Sequence, residues 1–256
     1  TLYAGGSGTE NDPYEIANWY HLNNTRENLD ANFTLVNDLN ETTDGYDSVA
    51  NTSANGGNGF DPIGTYDLSK DTEFNGTFDG NGHTIENLTI SRSTADYVGL
   101  FGAVESGGIL TNISLKAIDV SGYQSVGGLV GINYGKVNQS DAAGDVEGDV
   151  YVGGLVGRNK ETVNTSYATG NALGYGGAGG GGDVVVAPAR SRGGWGGVGG
   201  FGGIYDEFDF GGVGGEGLGW GGGGFWGGSS SGGGVWDRVT GVRPEVGGWG
   251  NLVWVF

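Results

Sequence analysis

The feature that most constrains the fold is a six-residue sequence that occurs twice. Val-Gly-Gly-Leu-Val-Gly covers residues 126–131 and returns at 152–157. The similarity extends further at the same offset of 26 residues, through the pairs Asn133/Asn159, Val137/Val163, Asn138/Asn164, Ser140/Ser166, Ala142/Ala168 and Gly144/Gly170. A fixed period of this length is the sequence signature of stacked structural repeats. The chain is therefore predicted to contain a stack of similar units.

Each unit has the pattern of short strands separated by tight corners. Residues 154–157 and 162–167 are strand-like stretches bounded by Gly, Asn and Asp, and 145–147 adds a third in the preceding unit. This alternation, without a helical apolar stripe, predicts strands. Three strands of about five residues fill one turn of a parallel β-helix, in which equivalent residues stack about 4.8 Å apart.

The predicted fold is therefore an all-β parallel β-helix, or β-solenoid, with a helical N-terminal cap and a disordered Gly-rich C-terminal tail. A sandwich of repeated hairpins is the alternative, but the units lack the tight two-residue turns that hairpins use. The predicted inward-facing column contains the pairs Leu129/Leu155, Val137/Val163 and Val126/Val152.

The regions on either side of the repeats differ from them. Residues 1–30 are predicted to form the cap, because Trp19 and Leu22 belong to a helix-like apolar spacing over Glu15–Leu29. A solenoid needs such a cap to cover its open apolar end and its unpaired strand edge. The β-helix is predicted over residues 31–172.

The pattern breaks in residues 173–256. A third copy of the six-residue sequence would fall at 178–183, where the chain has Ala-Gly-Gly-Gly-Gly-Asp. Residues 172–256 contain 34 Gly and six of the seven Trp. Glycine at this density raises the entropic cost of ordering the chain. The segment is predicted to be a low-complexity Gly/Trp-rich tail that is disordered, or the product of a frame shift in a GC-rich gene.

Composition limits the partners that the chain can take. Asp and Glu number 30 against 11 Lys and Arg, and the net charge is −19. Such a surface repels nucleic acid and anionic lipid, so no nucleic-acid partner is expected. It stays hydrated in high salt, which favours a halophilic archaeon as the source; an ordinary acidic secreted protein is the alternative. There is no Cys, and we expect no membrane-spanning segment because no run of 18 apolar residues occurs.

Further motifs suggest a family. Residues 166–170 read Ser-Tyr-Ala-Thr-Gly, and the leader contains, in order, Gly8-Thr9, Asp12 to Ile16, Asn37 to Leu39, Pro62 to Gly64 and Gly76 to Ile85. With Gly-Gly-Leu-Val-Gly, these motifs resemble the GLUG repeat of secreted and cell-surface proteins and the block that precedes it in haloarchaeal and bacterial surface proteins. The resemblance covers roughly residues 5–172. It implies a β-helical surface or adhesin-like protein, and the family carries no established catalytic residues.

Asn-x-Ser/Thr sequons are the most informative chemical signal. Nine occur before residue 172, where chance would give about three or four. Such sites accept N-linked glycans in exported proteins. Five of them are candidate glycosylation sites, namely Asn23, Asn32, Asn40, Asn51 and Asn75. Among these, Asn23, Asn40 and Asn51 are interpreted as loop sites.

The other four sequons have a structural interpretation. They recur at spacings of 25, 26 and 26 residues and are Asn87, Asn112, Asn138 and Asn164. In a β-helix they would stack as one column, where glycans on every rung would lie about 5 Å apart and crowd each other. We predict a structural ladder, in which the side-chain amides bond up and down the column.

Carboxylates are plentiful, and β-helices can host polysaccharide-cleaving enzymes. Asp38, Asp61 and Asp79 could form an acid/base pair on one face. In so acidic a chain, solvated surface positions are favoured over catalytic ones. His21 and His83 are the only histidines and belong to no recognisable catalytic order. No catalytic residue is therefore predicted.

No metal or cofactor is predicted either. Asp44 to Asp47 and Asp79 to Asn81 offer oxygen ligands, but the twelve-residue calcium loop with its terminal Glu is missing. The sequence therefore predicts a non-catalytic, extracellular or cell-surface structural protein, adhesin-like, that presents a rigid acidic β-helix. Its partner would be a surface polysaccharide, a protein, or another copy of the chain.

The sequence leaves two alternatives to a purely structural function. The first is a carbohydrate-active β-helix enzyme, a lyase or hydrolase, which needs a cleft with carboxylates, Arg or Lys and an exposed aromatic platform; the tyrosines of the repeats are more simply strand or corner residues. The second is a subunit of an extracellular filament, in which the broken repeat at residue 178 exposes an edge that pairs with another chain.

Overall fold

The structure, a computed structural model, describes residues 1–67 and 72–175 and the backbone of 190–191. The strands, numbered in chain order, are β1 (Tyr14–Ile16), β2 (Asn32–Leu35), β3 (Thr77–Asp79), β4 (Thr84–Glu86), β5 (Thr89–Ser91), β6 (Asp96–Val98), β7 (Phe101–Val104), β8 (Ile109–Thr111), β9 (Ser114–Ser121), β10 (Gln124–Gly127), β11 (Val130–Asn133), β12 (Lys136–Asn138), β13 (Asp141–Gly148), β14 (Val150–Gly153), β15 (Val156–Asn159), β16 (Thr162–Asn164), β17 (Tyr167–Gly174) and β18 (Arg190–Ser191). The helices are α1 (Trp19–Asn24), α2 (Tyr46–Val49), α3 (Ala54–Gly57) and a 3₁₀ turn (Thr25–Glu27). None of these helices is long and apolar enough to cross a membrane.

The strands form four parallel sheets that run along the molecule. One sheet has the order β1-β2-β3-β8-β12-β16, a second β6-β10-β14 and a third β7-β11-β15. The fourth has the order β4-β9-β13-β17-β18, and β5 also pairs with β9. The chain visits each sheet in turn and returns one strand further along, which makes a β-solenoid of about four turns. The predicted parallel β-helix is confirmed.

The register of the stack follows the period of the sequence. Val126 lies opposite Val152 and Val137 opposite Val163, so partner residues of the last two turns are 26 positions apart. The turn before pairs at slightly larger offsets, as in Val130 with Phe101, 29 positions earlier. Equivalent side chains therefore lie above one another in successive turns. This register places the apolar residues of all turns in common inward rows, because a slip by one residue would turn them outward.

Each unit contains four strands rather than the three predicted, because the first glycine of the Gly-Gly pair ends one strand and the second opens a corner before the next. β10 ends at Gly127 and β11 begins at Val130. A Cβ on Gly127 would lie 2.2 Å from the carbonyl oxygen of Val130, and one on Gly128 would lie 2.5 Å from that of Gly154. Only glycine permits so close an approach of two backbone segments.

The predicted inward rows are largely confirmed. Five of the six residues are at most 1% exposed, namely Leu129, Leu155, Val137, Val126 and Val152. The sixth, Val163, is half-buried because β16 is the last strand of its sheet in the described part of the chain. Full burial of one such side chain stabilises the fold by about 1.5–3 kcal/mol.

The N-terminal helix is shorter than predicted. Tyr14–Ile16 forms β1, which pairs with β2, and α1 begins only at Trp19. Asn18 ends the extended segment, because its side-chain oxygen accepts a hydrogen bond from the backbone N–H of His21 at 2.9 Å and caps the helix. The apolar spacing that predicts one helix is therefore divided between a strand and a helix.

The predicted tail lies mostly outside the described residues, so its disorder or frame shift stays a prediction. Leu173–Gly174, at its start, completes β17. The backbone of Arg190–Ser191 pairs with these two residues in parallel.

Candidate functional site

Three half-buried tyrosines meet on the outer surface of the stack. The ring centroids of Tyr66 and Tyr97 are 5.1 Å apart, and those of Tyr66 and Tyr134 are 5.8 Å apart with ring planes within 16° of parallel. The hydroxyl of Tyr134 donates to that of Tyr66 at 3.4 Å. Each ring keeps part of its surface in contact with solvent. We call these three residues the tyrosine cluster.

The position of Tyr97 is set by an unusual backbone conformation that repeats along the stack. Its φ is +59°, and Ser125 and Tyr151, at the equivalent positions of the next two turns, have φ of +56° and +55°. A left-handed conformation costs a non-glycine residue about 1–2 kcal/mol, so the flanking strand ladders must hold it. Gly131 makes room for it, because a Cβ there would lie 2.6 Å from the carbonyl carbon of Tyr97.

A guanidinium group lies beside the tyrosine cluster. Arg158 Cζ is 5.0 Å from the ring centroid of Tyr151, a cation–π geometry. Burial raises the pKa of Tyr97, and burial together with the Tyr66 hydrogen bond raises the pKa of Tyr134 to about 12, although the charge of Arg158 lowers both. The hydroxyls of these two residues are therefore neutral at physiological pH and act as hydrogen-bonding groups.

A cleft of about 340 Å³ opens next to Tyr97. Charged side chains in its lining are Arg26, Arg92, Asp61 and Asp96. Arg92 Nη2 forms an ion pair with Asp61 Oδ1 at 2.8 Å. The lining therefore offers guanidinium donors and carboxylate acceptors side by side, and its charges balance although the chain carries a net charge of −19.

Arg26 is held in place from several sides. Its guanidinium lies over the ring of Phe60, with Cζ 5.3 Å from the centroid. It donates to the carbonyl oxygen of Asn23 at 2.8 Å, to the side-chain oxygen of the same residue and to the carbonyl oxygen of Asp61. Burial lowers the pKa of Arg26, which the carboxylate of Asp61 partly opposes. The cleft therefore has a rigid, charged wall.

Asp38, Asp61 and Asp79, the candidates for an acid/base pair, each contact a different partner. Asp38 Oδ1 accepts from the backbone N–H of Thr84 at 2.9 Å, and this hydrogen bond lowers the pKa of the carboxyl group. Asp61 pairs with an arginine of the cleft, and Asp79 Oδ1 accepts from Asn112 Nδ2 at 3.0 Å. In the described part of the chain, no group of three or more His, Asp or Glu side chains is placed to hold a metal ion.

The four asparagines of the predicted ladder do not all occupy the same position in the strand register. Asn138 and Asn164 are direct partners in β12 and β16. β8 aligns Thr111 with Asn138, so Asn112 lies one residue beyond that row, with a left-handed φ of +52°. Asn87 follows β4, in the fourth sheet. The structure therefore brings two of the four into register, and the one-residue offset separates Asn112 from them.

A buried amide ladder exists at another position of the repeat. Asn133 and Asn159 are 0% and 6% exposed, and Asn133 Nδ2 donates to Asn159 Oδ1 at 2.7 Å. Asn133 also donates to the carbonyl oxygen of Gly135 and accepts from its N–H, each at 3.1 Å. The sequence shows this pair at the constant offset of the repeat, but nothing in it marks the two amides as buried.

We expect Asn133→Leu to lower the free energy of unfolding by about 3 kcal/mol, because it leaves buried polar groups of Gly135 and Asn159 without partners. Urea denaturation followed by circular dichroism measures this change. Asn164→Ala is the control at an exposed position of the next turn, which also contains Asn159, and should change stability by less than about 0.5 kcal/mol. Equal losses in both variants would contradict the role of the ladder.

The structure places the five candidate glycosylation sites in four settings: Asn23 in α1, Asn32 in β2, Asn75 just before β3, and Asn40 and Asn51 in loops. The loop pair shares one geometry. The side-chain oxygen of each accepts a hydrogen bond from the hydroxyl of its own sequon, that of Thr42 at 2.7 Å and that of Ser53 at 2.9 Å. Asn23, interpreted as a loop residue from the sequence, is helical.

The sequence pattern does not single out the tyrosine cluster or the cleft. The repeat aligns Tyr97 with Tyr151, and this recurrence is the one available signal. Tyr66 and Arg26 lie before the first repeat, so no period aligns them with other residues. Their proximity arises from how the leader packs on the first turns.

Two curated proteins are similar in sequence to about half of this chain. Over 142 residues, 54% of the chain, it is 38% identical to Halomucin of Haloquadratum walsbyi, of which the match covers 2%. Over 143 residues it is 36% identical to a protein named as a Gly-rich membrane protein of Evansella cellulosilytica, of which the match covers 15%. The chain therefore spans only a small part of either relative.

A solved structure shares the fold. It is the crystal structure of a protein from Bacteroides ovatus named as an immunoglobulin A1 protease, and it aligns with a TM-score of 0.57 and 22% identity over 78% of this chain and 64% of that one. At this identity, the likeness concerns the fold alone. No model of a known protein family matches the chain, so the resemblance to the GLUG repeat rests on the motifs quoted above.

Proposed function

We propose that this chain is part of a non-catalytic, extracellular or cell-surface protein of the GLUG-repeat type, which presents a rigid acidic β-solenoid in an adhesin-like role. The observation that carries the proposal is the continuous stack of parallel strands around a buried core, which supports a stiff rod. Similarity to Halomucin and to a protein named as a membrane protein supports the location. The separate partners of Asp38, Asp61 and Asp79 support a non-catalytic role.

The charge of the chain supports a saline setting for this rod. With a net charge of −19, its carboxylates repel one another at low ionic strength. At molar salt the screening length falls to about 3 Å, which removes most of this repulsion between exposed groups. We propose a halophilic source on this ground.

Glycosylation is proposed at the two loop sequons, Asn40 and Asn51. Both lie in connections between strands and helices, outside the strands that stack directly on one another. In both, the hydroxyl of the sequon already contacts the asparagine side chain. The paired residues Asn138 and Asn164 lie within such strands, where partners are about 4.8 Å apart.

The test is surface labelling of intact cells of the source organism with a membrane-impermeant biotin reagent, followed by peptide mass spectrometry. We expect labelled peptides from residues 1–175 before lysis, with glycan mass on Asn40 and Asn51. A cytoplasmic protein of the same cells is the control for leakage. Labelling of this chain only after lysis would overturn the surface location, and bare loop sequons would overturn the glycosylation alone.

A further inference from the structure

We propose that the tyrosine cluster and the adjoining cleft bind the neutral hexopyranose units of a polysaccharide. The inference names a partner for the surface rod and rests on that proposed function only for the setting in which the ligand is met. It is carried by the juxtaposition, on one outer face, of half-buried tyrosine rings with a charge-balanced cleft of about 340 Å³.

The rings supply the apolar half of such a site. The faces of Tyr66 and Tyr134 are electron-rich and nearly parallel, and part of each ring is open to solvent. One face of a hexopyranose carries several C–H bonds with partial positive charge, which are attracted to such a ring face. Stacking a sugar here would remove apolar ring surface from water, which is favourable by about 25 cal/mol per Å².

The cleft supplies the polar half. A sugar hydroxyl both donates and accepts, so a site for it needs acceptors and donors within a few ångströms of each other. Asp61 and Asp96 accept, Arg26 and Arg92 donate, and the four lie in one lining that continues to Tyr97. A guanidinium carries five N–H groups, and among the described residues Arg92 uses two of its three nitrogens, Nε toward the carbonyl oxygen of Phe60 and Nη2 toward Asp61.

The charge balance favours a neutral ligand over an anionic one. Two arginines and two aspartates line the cleft, so it has no excess positive charge to attract a uronate or a sulfate. The chain as a whole carries a net charge of −19, which repels anions. A neutral sugar meets neither penalty.

The site is also built in advance, which lowers the entropic cost of binding. Arg26 is fixed by the ring of Phe60 and by backbone carbonyls, and the ring of Tyr134 stacks on that of Tyr66. A ligand would therefore meet side chains that already hold their bound positions.

The test is isothermal titration of the purified full chain with linear hexasaccharides of glucose, mannose and galactose, and with hexagalacturonate as the anionic comparison. We expect at least one neutral hexasaccharide to bind and hexagalacturonate to bind at least tenfold more weakly. Tyr134→Ala should weaken the neutral ligand about tenfold, the equivalent of about 1.4 kcal/mol. Tyr134→Phe keeps the ring and should retain binding within about threefold.

Tyr167→Ala is the matched control, since Tyr167 is 47% exposed and belongs to another sheet. This variant should bind the neutral hexasaccharide with the same affinity as the unchanged chain. Thermal unfolding of each variant shows that it is folded. The inference is overturned if no neutral hexasaccharide binds up to about 10 mM, if Tyr134→Ala binds as well as the unchanged chain, or if only hexagalacturonate binds. None of these outcomes alters the surface-labelling result, so the two proposals fail separately.

Discussion

Replacing Gly131 by alanine is expected to lower the free energy of unfolding by about 3 kcal/mol or to prevent folding. The added Cβ would lie 2.6 Å from the carbonyl oxygen of Gly102, 2.6 Å from the carbonyl carbon of Tyr97 and 2.7 Å from the backbone nitrogen of Val98. All three are backbone atoms of the hydrogen-bonded stack, so none can move without breaking the ladder. Urea denaturation of the purified variant measures the loss.

Gly56→Ala is the control for this prediction. Gly56 has a left-handed φ of +71°, but a Cβ there would meet nothing within 4 Å. We expect a loss of only about 1 kcal/mol, from backbone strain without a steric clash. If Gly131→Ala were no more damaging than Gly56→Ala, the close packing of backbone around Gly131 in β11 would be refuted.

The second large effect is expected in the core. Phe101 is fully buried, and its ring centroid lies 4.9 Å from that of Phe74 and 5.5 Å from that of Phe78. Phe101→Ala should lower the free energy of unfolding by about 4 kcal/mol, because it removes apolar burial and leaves a cavity between rigid turns. Tyr123→Ala, at a side chain that is 45% exposed, should change it by less than about 0.5 kcal/mol.

The same denaturation measurement decides this prediction. A loss below about 1 kcal/mol for Phe101→Ala would be too small for a side chain at the centre of a packed core. It would show that the contacts of Phe101 with Phe74 and Phe78 contribute little to the stability of the stack.

The fold was predictable from the sequence because the repeat period determines which residues become partners in successive turns. Val126 and Val152 occupy the same place in the repeat, and parallel stacking is the arrangement that makes such residues neighbours. The number of strands per turn was not predictable in the same way. Gly127 and Gly128 are small residues in an apolar stretch, and only the structure shows that a strand ends at the first and a corner begins at the second.

The candidate site was much less predictable. Arg26 and Asp61 meet across 35 residues of non-repeating sequence, and no local pattern links them. Tyr66 reaches Tyr134 through the same packing of the leader on the first turns. In the ladder, a one-residue offset at Asn112 separates asparagines that the sequence spacing places in one column. Long-range packing and small register shifts are the information that a single sequence does not display.

Paired cysteines test the central claim, the parallel stack with a 26-residue register. The chain has no Cys, and Asp119, Asp145 and Asn171 are exposed partners in three successive strands. Neighbouring partners lie about 4.8 Å apart, which a disulfide can bridge, whereas the outer two lie about 10 Å apart.

The measurement is disulfide formation in the monomer on mild oxidation, read by mass spectrometry of the double variants. The stack predicts rapid cross-linking of Asp119→Cys with Asp145→Cys and of Asp145→Cys with Asn171→Cys, and none of Asp119→Cys with Asn171→Cys. Cross-linking of the outer pair, or of neither adjacent pair, would contradict the parallel 26-residue register and with it the account of the fold and the site.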